Sequence, residues 1–109
     1  MKIAVPSDQG RVAAHFGHCA SFEIYEVEAD QVVGEQSLPN PGHKPGFLPN
    51  FLHEHGVTVI IAGGIGTAAV RIFEDKGIKV VPGASGSSRS VVEQYVRGEL
   101  DYSGSVCDH

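Results

Sequence analysis

Apolar and polar positions along the chain change their spacing several times, and each change marks an element. Ile3-Ala4-Val5 is a short apolar run that predicts a first strand, stopped by Pro6. Residues 7–20 are polar, contain Gly10 and Gly17, and read as a loop. Residues 22–27 are rich in aromatic and β-branched side chains and predict a second strand. Phe22 and Ile24 share one face of it, Tyr25 and Val27 the other. A tight turn at Ala29-Asp30 leads into a third strand over 32–38, so the first three strands form an antiparallel meander.

Residues 39–46 are a loop by composition, with three prolines and two glycines. Three helices with one common pattern follow. Phe47, Leu48, Phe51 and Leu52 make an apolar stripe, as do Ala68, Ala69, Ile72 and Phe73, and again Val91, Val92, Tyr95 and Val96. Gly56, Gly77 and Gly98 each stand just past one of these helices, where a left-handed C-cap is expected. Ser90 and Glu93 have capping-box spacing for the third helix. Between the helices, 57–62 and 78–81 are nearly unbroken apolar runs, as in buried parallel strands. The order is β-β-β-α-β-α-β-α, an α/β class. Its economical arrangement is a five-stranded mixed sheet in the order 3-2-1-4-5, with only strand 2 antiparallel, flanked by three helices. That is a ribonuclease H-like sheet.

The length of 109 residues predicts a single domain over 1–109, with 99–109 a C-terminal tail. The net charge is −5 and the basic residues are scattered, which disfavours a nucleic-acid binder. No apolar run reaches the length of a membrane span, and the first residues do not resemble a signal peptide. A cytoplasmic location follows as an expectation, and with it Cys19 and Cys107 as free thiols or ligands rather than a disulfide.

In the expected topology, the loops leaving strands 1, 3, 4 and 5 emerge at one edge, where open α/β sheets bind ligands. The first holds His15-Phe16-Gly17-His18-Cys19, two imidazoles and a thiol of the kind that suits Zn, another transition metal or a sulfur-bridged cluster. The plainer reading is a hydrogen-bonded loop with Cys19 a small buried hydrophobe. His43 lies in the second loop. Gly64-Ile65-Gly66-Thr67 opens a helix and offers backbone amides to an anion, or else serves tight strand-to-helix packing. A dinucleotide site is not expected, since no acidic residue ends the next strand. Residues 85–90, with Ser87 and Arg89, form a second anion-friendly turn. The tail adds Cys107 and His109. No Ser–His–Asp order stands out, and the carboxylates of ribonuclease H chemistry are missing from these strands, so an enzyme is not expected.

Four segments together resemble the dinitrogenase iron-molybdenum cofactor-binding family, the domain type of NifX and the C-terminal part of NifB. They are His15-Phe16-Gly17-His18-Cys19 with Phe22, Asn40-Pro41-Gly42-His43 with Pro45-Gly46, Ile61-Ala62-Gly63-Gly64-Ile65-Gly66, and Gly77-Ile78-Lys79-Val80. The ending Cys107-Asp108-His109 is similar to that of small stand-alone members. The resemblance implies a ribonuclease H-like fold and the binding or transfer of a Mo/Fe–sulfur cofactor or a related cluster, and the expected function is to carry such a Mo-, Fe- or Cu-sulfide species for metallocofactor assembly. His15, His18 and Cys19 are then the expected ligands, with His43, Cys107 and His109 supplementary. Gly64, Ile65, Gly66, Thr67, Ser87 and Arg89 would hold the negative charge. The expected partners are a cluster donor or recipient, such as an ATPase or metalloenzyme, and the expected state is a monomer or weak homodimer. Two other readings stand beside this one: a metal-free regulatory or interaction module, and a small enzyme acting on a phosphorylated or nucleotide substrate.

Overall fold

The computed structural model describes residues 1–42 and 47–100. Six strands form one mixed sheet: β1 (Lys2–Asp8), β2 (Arg11–Val12), β3 (Ser21–Glu28), β4 (Gln31–Pro39), β5 (Val57–Ile61) and β6 (Lys79–Val81). Three helices accompany them: α1 (Phe47–Glu54), α2 (Thr67–Asp75) and α3 (Ser88–Val96). The main path across the sheet is β4-β3-β1-β5-β6, and β2 pairs with the end of β1. Strands β1 and β4 run antiparallel to β3, while β5 is parallel to both β1 and β6.

The expectation of five strands needs one correction. Ser7 pairs with Val12 and Asp8 with Arg11, so Gln9 and Gly10 form a two-residue hairpin loop, with φ of 50° and 79°. Pro6 does not stop β1. Its carbonyl accepts from the Ala13 amide at 2.8 Å, so its missing N–H lies on that side of the strand and no bond to β3 is lost.

The alternation in β3 sorts its side chains between two cores. On one face Phe22 and Ile24 join Ala4 and Ile60 beneath α1 and α2, which contribute Leu48, Leu52 and Phe73. On the other, Tyr25 and Val27 join Ile3, Val5, Val59 and Ile61 beneath Val91 and Val92 of α3. β1 and β5 are central and buried on both faces, hence their continuous apolar runs. β4 is an edge strand and mostly exposed.

Gly56, Gly77 and Gly98 end the three helices with φ of 83°, 76° and 72°, in the left-handed region that glycine enters without a side-chain clash. The cap at the start of α3 is Ser87, whose hydroxyl accepts from the Ser90 amide, rather than Ser90 itself. The Ser88 hydroxyl is buried and bonds that of Ser7 at 2.7 Å, tying α3 to the end of β1.

Candidate functional site

The loops that follow β1, β5 and β6 are stitched to one another by their backbones. The Phe16 amide donates to Gly64 O at 2.8 Å, and the Gly64 amide donates to Ala14 O at 2.7 Å. The Gly83 amide donates to Gly63 O, the Val12 amide to Gly86 O, and the Ser88 amide to Gly10 O. Segment 13–16 therefore lies beside 62–64 as a short parallel extension of the sheet, bridged at His15 and Gly64. Glycine at position 63 is a steric requirement. A Cβ there would stand 2.6 Å from Ala13 O and 3.4 Å from Ala84 O, both fixed backbone atoms.

Phe16 anchors the first loop. Its buried ring packs against Phe22 of β3 at 6.0 Å and edge-on against Phe73 of α2 at 5.4 Å. A single 3-10 turn, Phe16–His18, follows and is closed by the His18 amide on His15 O at 3.3 Å. His15 and His18 thus stand at the two ends of one turn, both exposed on the rim.

Cys19 goes the other way. It is 5% exposed and belongs to the core beneath α1 and α2. Burial pushes its thiol from the ordinary 9.0 up to about 11, against the opposing effect of a hydrogen bond from the Ser7 backbone. Among the described residues no group of three His, Cys, Asp or Glu side chains is placed to hold a metal ion. The structure brings His15 and His18 to one rim and does not bring Cys19 to it. His43, Cys107 and His109 lie outside the described residues.

The two anion-friendly turns also separate. Gly66 is the N-cap of α2 and supplies no side-chain cap, so that helix start presents backbone donors with no acceptor from its cap residue. Gly64 is beside it, but its amide is taken by Ala14 O, and Ile65 is buried. At α3 the Ser87 hydroxyl is occupied as the cap, and the Arg89 guanidinium lies 3.1 Å from Glu35 and 3.4 Å from Glu93. Arg89 is already matched by two carboxylates, and the start of α3 is tied into the fold.

Asn40 escaped the sequence reading as a site residue. Its side-chain amide donates to Cys19 O at 2.9 Å, and its Oδ1 accepts from the Gly42 amide at 3.0 Å. The available signal was its place directly after β4, beside His43.

The family profile described as dinitrogenase iron-molybdenum cofactor matches residues 1–98, which include every loop of this edge. The chain belongs to that family. It is 30% identical over 106 residues to the uncharacterized protein MJ0580 of Methanocaldococcus jannaschii, covering 93% of this chain and 90% of the other. The crystal structure of PH0822 superposes with a TM-score of 0.88 at 30% identity, covering 94% of each chain. The apo form of the orange protein from Desulfovibrio gigas superposes with a TM-score of 0.77 at 25% identity, covering 94% of this chain and 92% of that one. The family is thus associated with the iron-molybdenum cofactor. No helix of the described residues is long and apolar enough to cross a membrane.

Proposed function

We propose that this protein is a single-domain cytoplasmic carrier that binds a metal–sulfur cluster as cargo and passes it on during metallocofactor assembly, without catalysing a reaction of its own. The observation that supports this most is the rim itself. The exposed His15 and His18 frame one turn, and that turn is bonded through Phe16 to Gly64, two residues before Gly66, the N-cap of α2. Imidazole nitrogen suits the metal of such a cluster, and helix-start amides suit its negative charge. The family's association with the iron-molybdenum cofactor supplies the class of cargo.

In this reading His15 and His18 are the ligands the described fold offers, and the Gly66–Thr67 turn faces the sulfide charge. His43, Cys107 and His109 are proposed as supplementary donors. Cys19 supports the loop from beneath. A donor or recipient protein, such as an ATPase or metalloenzyme, docks at the same edge, and the carrier works as a monomer or weak homodimer.

Anaerobic reconstitution with iron, sulfide and molybdate, or with copper in place of iron, tests the proposal. Visible absorption bands and bound metal are expected to survive desalting. The His15→Ala, His18→Ala double variant is expected to retain metal at least about tenfold more weakly. Equal retention by that variant would remove the ligand assignment. Partner binding that persists unchanged after metal stripping would favour a metal-free interaction module instead.

A further inference from the structure

Between Phe16, pinned in the core, and Ala20, whose amide donates to Ser7 O and to Asp8 Oδ1, the rim loop spans three residues. The bond that closes its turn is long, at 3.3 Å. Two carbonyls of this span, those of Gly17 and Cys19, face a single residue on another element. That residue is Asn40, whose Nδ2 lies 2.9 Å from Cys19 O and 3.5 Å from Gly17 O, with the Cys19 sulfur at 3.7 Å.

The same side chain reaches in two directions. Its Oδ1 accepts from the Gly42 amide at 3.0 Å, and its own backbone amide donates to Ala20 O at 3.1 Å. Asn40 hangs from the end of β4, where Pro39 pairs with Ser21 of β3, so its base is fixed by the sheet. The task needs a short side chain with a donor at one corner and an acceptor at the other, and asparagine meets it. Aspartate would keep the acceptor but set a carboxylate against two carbonyl oxygens. Alanine would remove the donor that faces both carbonyls.

We propose that Asn40 is the positioning residue of this site: it clamps the 17–19 span from β4 and so holds His18, beside the separately anchored His15, in the arrangement that receives cargo. The inference rests on the cargo reading above. It adds a residue that touches no cargo and acts by linking the His15–Cys19 loop to the chain that leads into His43.

Two readouts on Asn40→Asp test it, with Val92→Ala as a control that weakens the opposite core. The first is iodoacetamide labelling of the native chain, followed by peptide mass spectrometry that scores Cys19 separately from Cys107. Labelling of Cys19, followed over a range of pH so that rates are compared at equal thiolate fraction, is expected to speed up about tenfold or more in Asn40→Asp, and to stay at the wild-type rate in Val92→Ala. The second is metal retained after anaerobic reconstitution with iron, sulfide and molybdate. It is expected to fall about tenfold in Asn40→Asp and to hold in the control. Should the aspartate variant lose its far-UV circular dichroism, Asn40→Ala takes its place, with the same two expectations. Either readout unchanged in a folded Asn40 variant overturns the inference. A wild-type chain that takes up no cluster refutes the cargo reading and this inference with it, whereas wild-type loading matched by the Asn40 variants refutes this inference alone.

Discussion

At the scale of the residue, the site is governed by where a few side chains point. Phe16 fastens the loop to both β3 and α2. Truncating it leaves a hole at that junction, and Phe16→Ala is expected to cost about 3 kcal/mol in urea unfolding. Gly63→Ala presses a methyl carbon against Ala13 O, which stands 2.6 Å from where that carbon would be. A loss of about 2 kcal/mol is expected, together with a weaker grip on the 13–16 segment. Cys19 and Tyr25 make stability fall on the alkaline side. Burial raises the Cys19 thiol to about 11, and burial aided by the charges of Glu35 and Glu23 raises the Tyr25 phenol to about 12. Both groups are more easily ionised in the unfolded chain. Their contribution is therefore complete below pH 9, the ordinary thiol value, and is lost as pH rises through 11 to 12. Chemical denaturation midpoints measured from pH 8 upward are expected to decline accordingly. In Cys19→Ala the part of the decline that begins near pH 9 should shrink.

At the scale of the element, turns carry the sharpest consequences. Ala29 and Asp30 join β3 to β4 with φ of 52° and 62°, the left-handed pair of a tight hairpin built without glycine. An alanine there is strained by roughly 1–2 kcal/mol, so Ala29→Asn is expected to stabilise the fold by about 1 kcal/mol and to raise the melting temperature in a thermal scan. Ser87→Ala removes the α3 cap and is expected to cost about 1 kcal/mol. The long elements were legible in the sequence because their patterns repeat. Phe22, Ile24, Tyr25 and Val27 fall on the faces that alternation assigns them, and Gly56, Gly77 and Gly98 take the left-handed φ their positions call for. The short devices were less so. A two-residue strand such as Arg11–Val12 has no period to read, and Pro6 looks like a terminator until its missing N–H is seen to face away from β3. In the serine-rich turn before α3, Ser87, Ser88 and Ser90 are equivalent as letters, and only the backbone decides that Ser87 caps.

At the scale of the whole molecule, the sheet gathers its loops at one edge, and that was visible from element order alone. The loops after β1, β5 and β6 are joined there by backbone hydrogen bonds, and Asn40 after β4 adds another to Ala20. The inward turn of Cys19 was not visible. Chemically it belongs with His15 and His18, and nothing in the spacing of His15 to Cys19 says that a 3-10 turn will leave the imidazoles outside and send the thiol into the core. Arg89 was misleading for a similar reason, since its partner Glu35 lies 54 residues away on an edge strand. The proposed picture is a carrier whose rim is tied by backbone hydrogen bonds and whose recognition is made of two imidazoles and a helix start. That picture is tested most directly by analysing the freshly and anaerobically purified chain for transition metals and acid-labile sulfide. Molybdenum, iron or copper is expected together with sulfide in a fixed ratio to protein, retained through desalting. A chain that carries neither metal nor sulfide, and takes up neither when both are supplied, would contradict it.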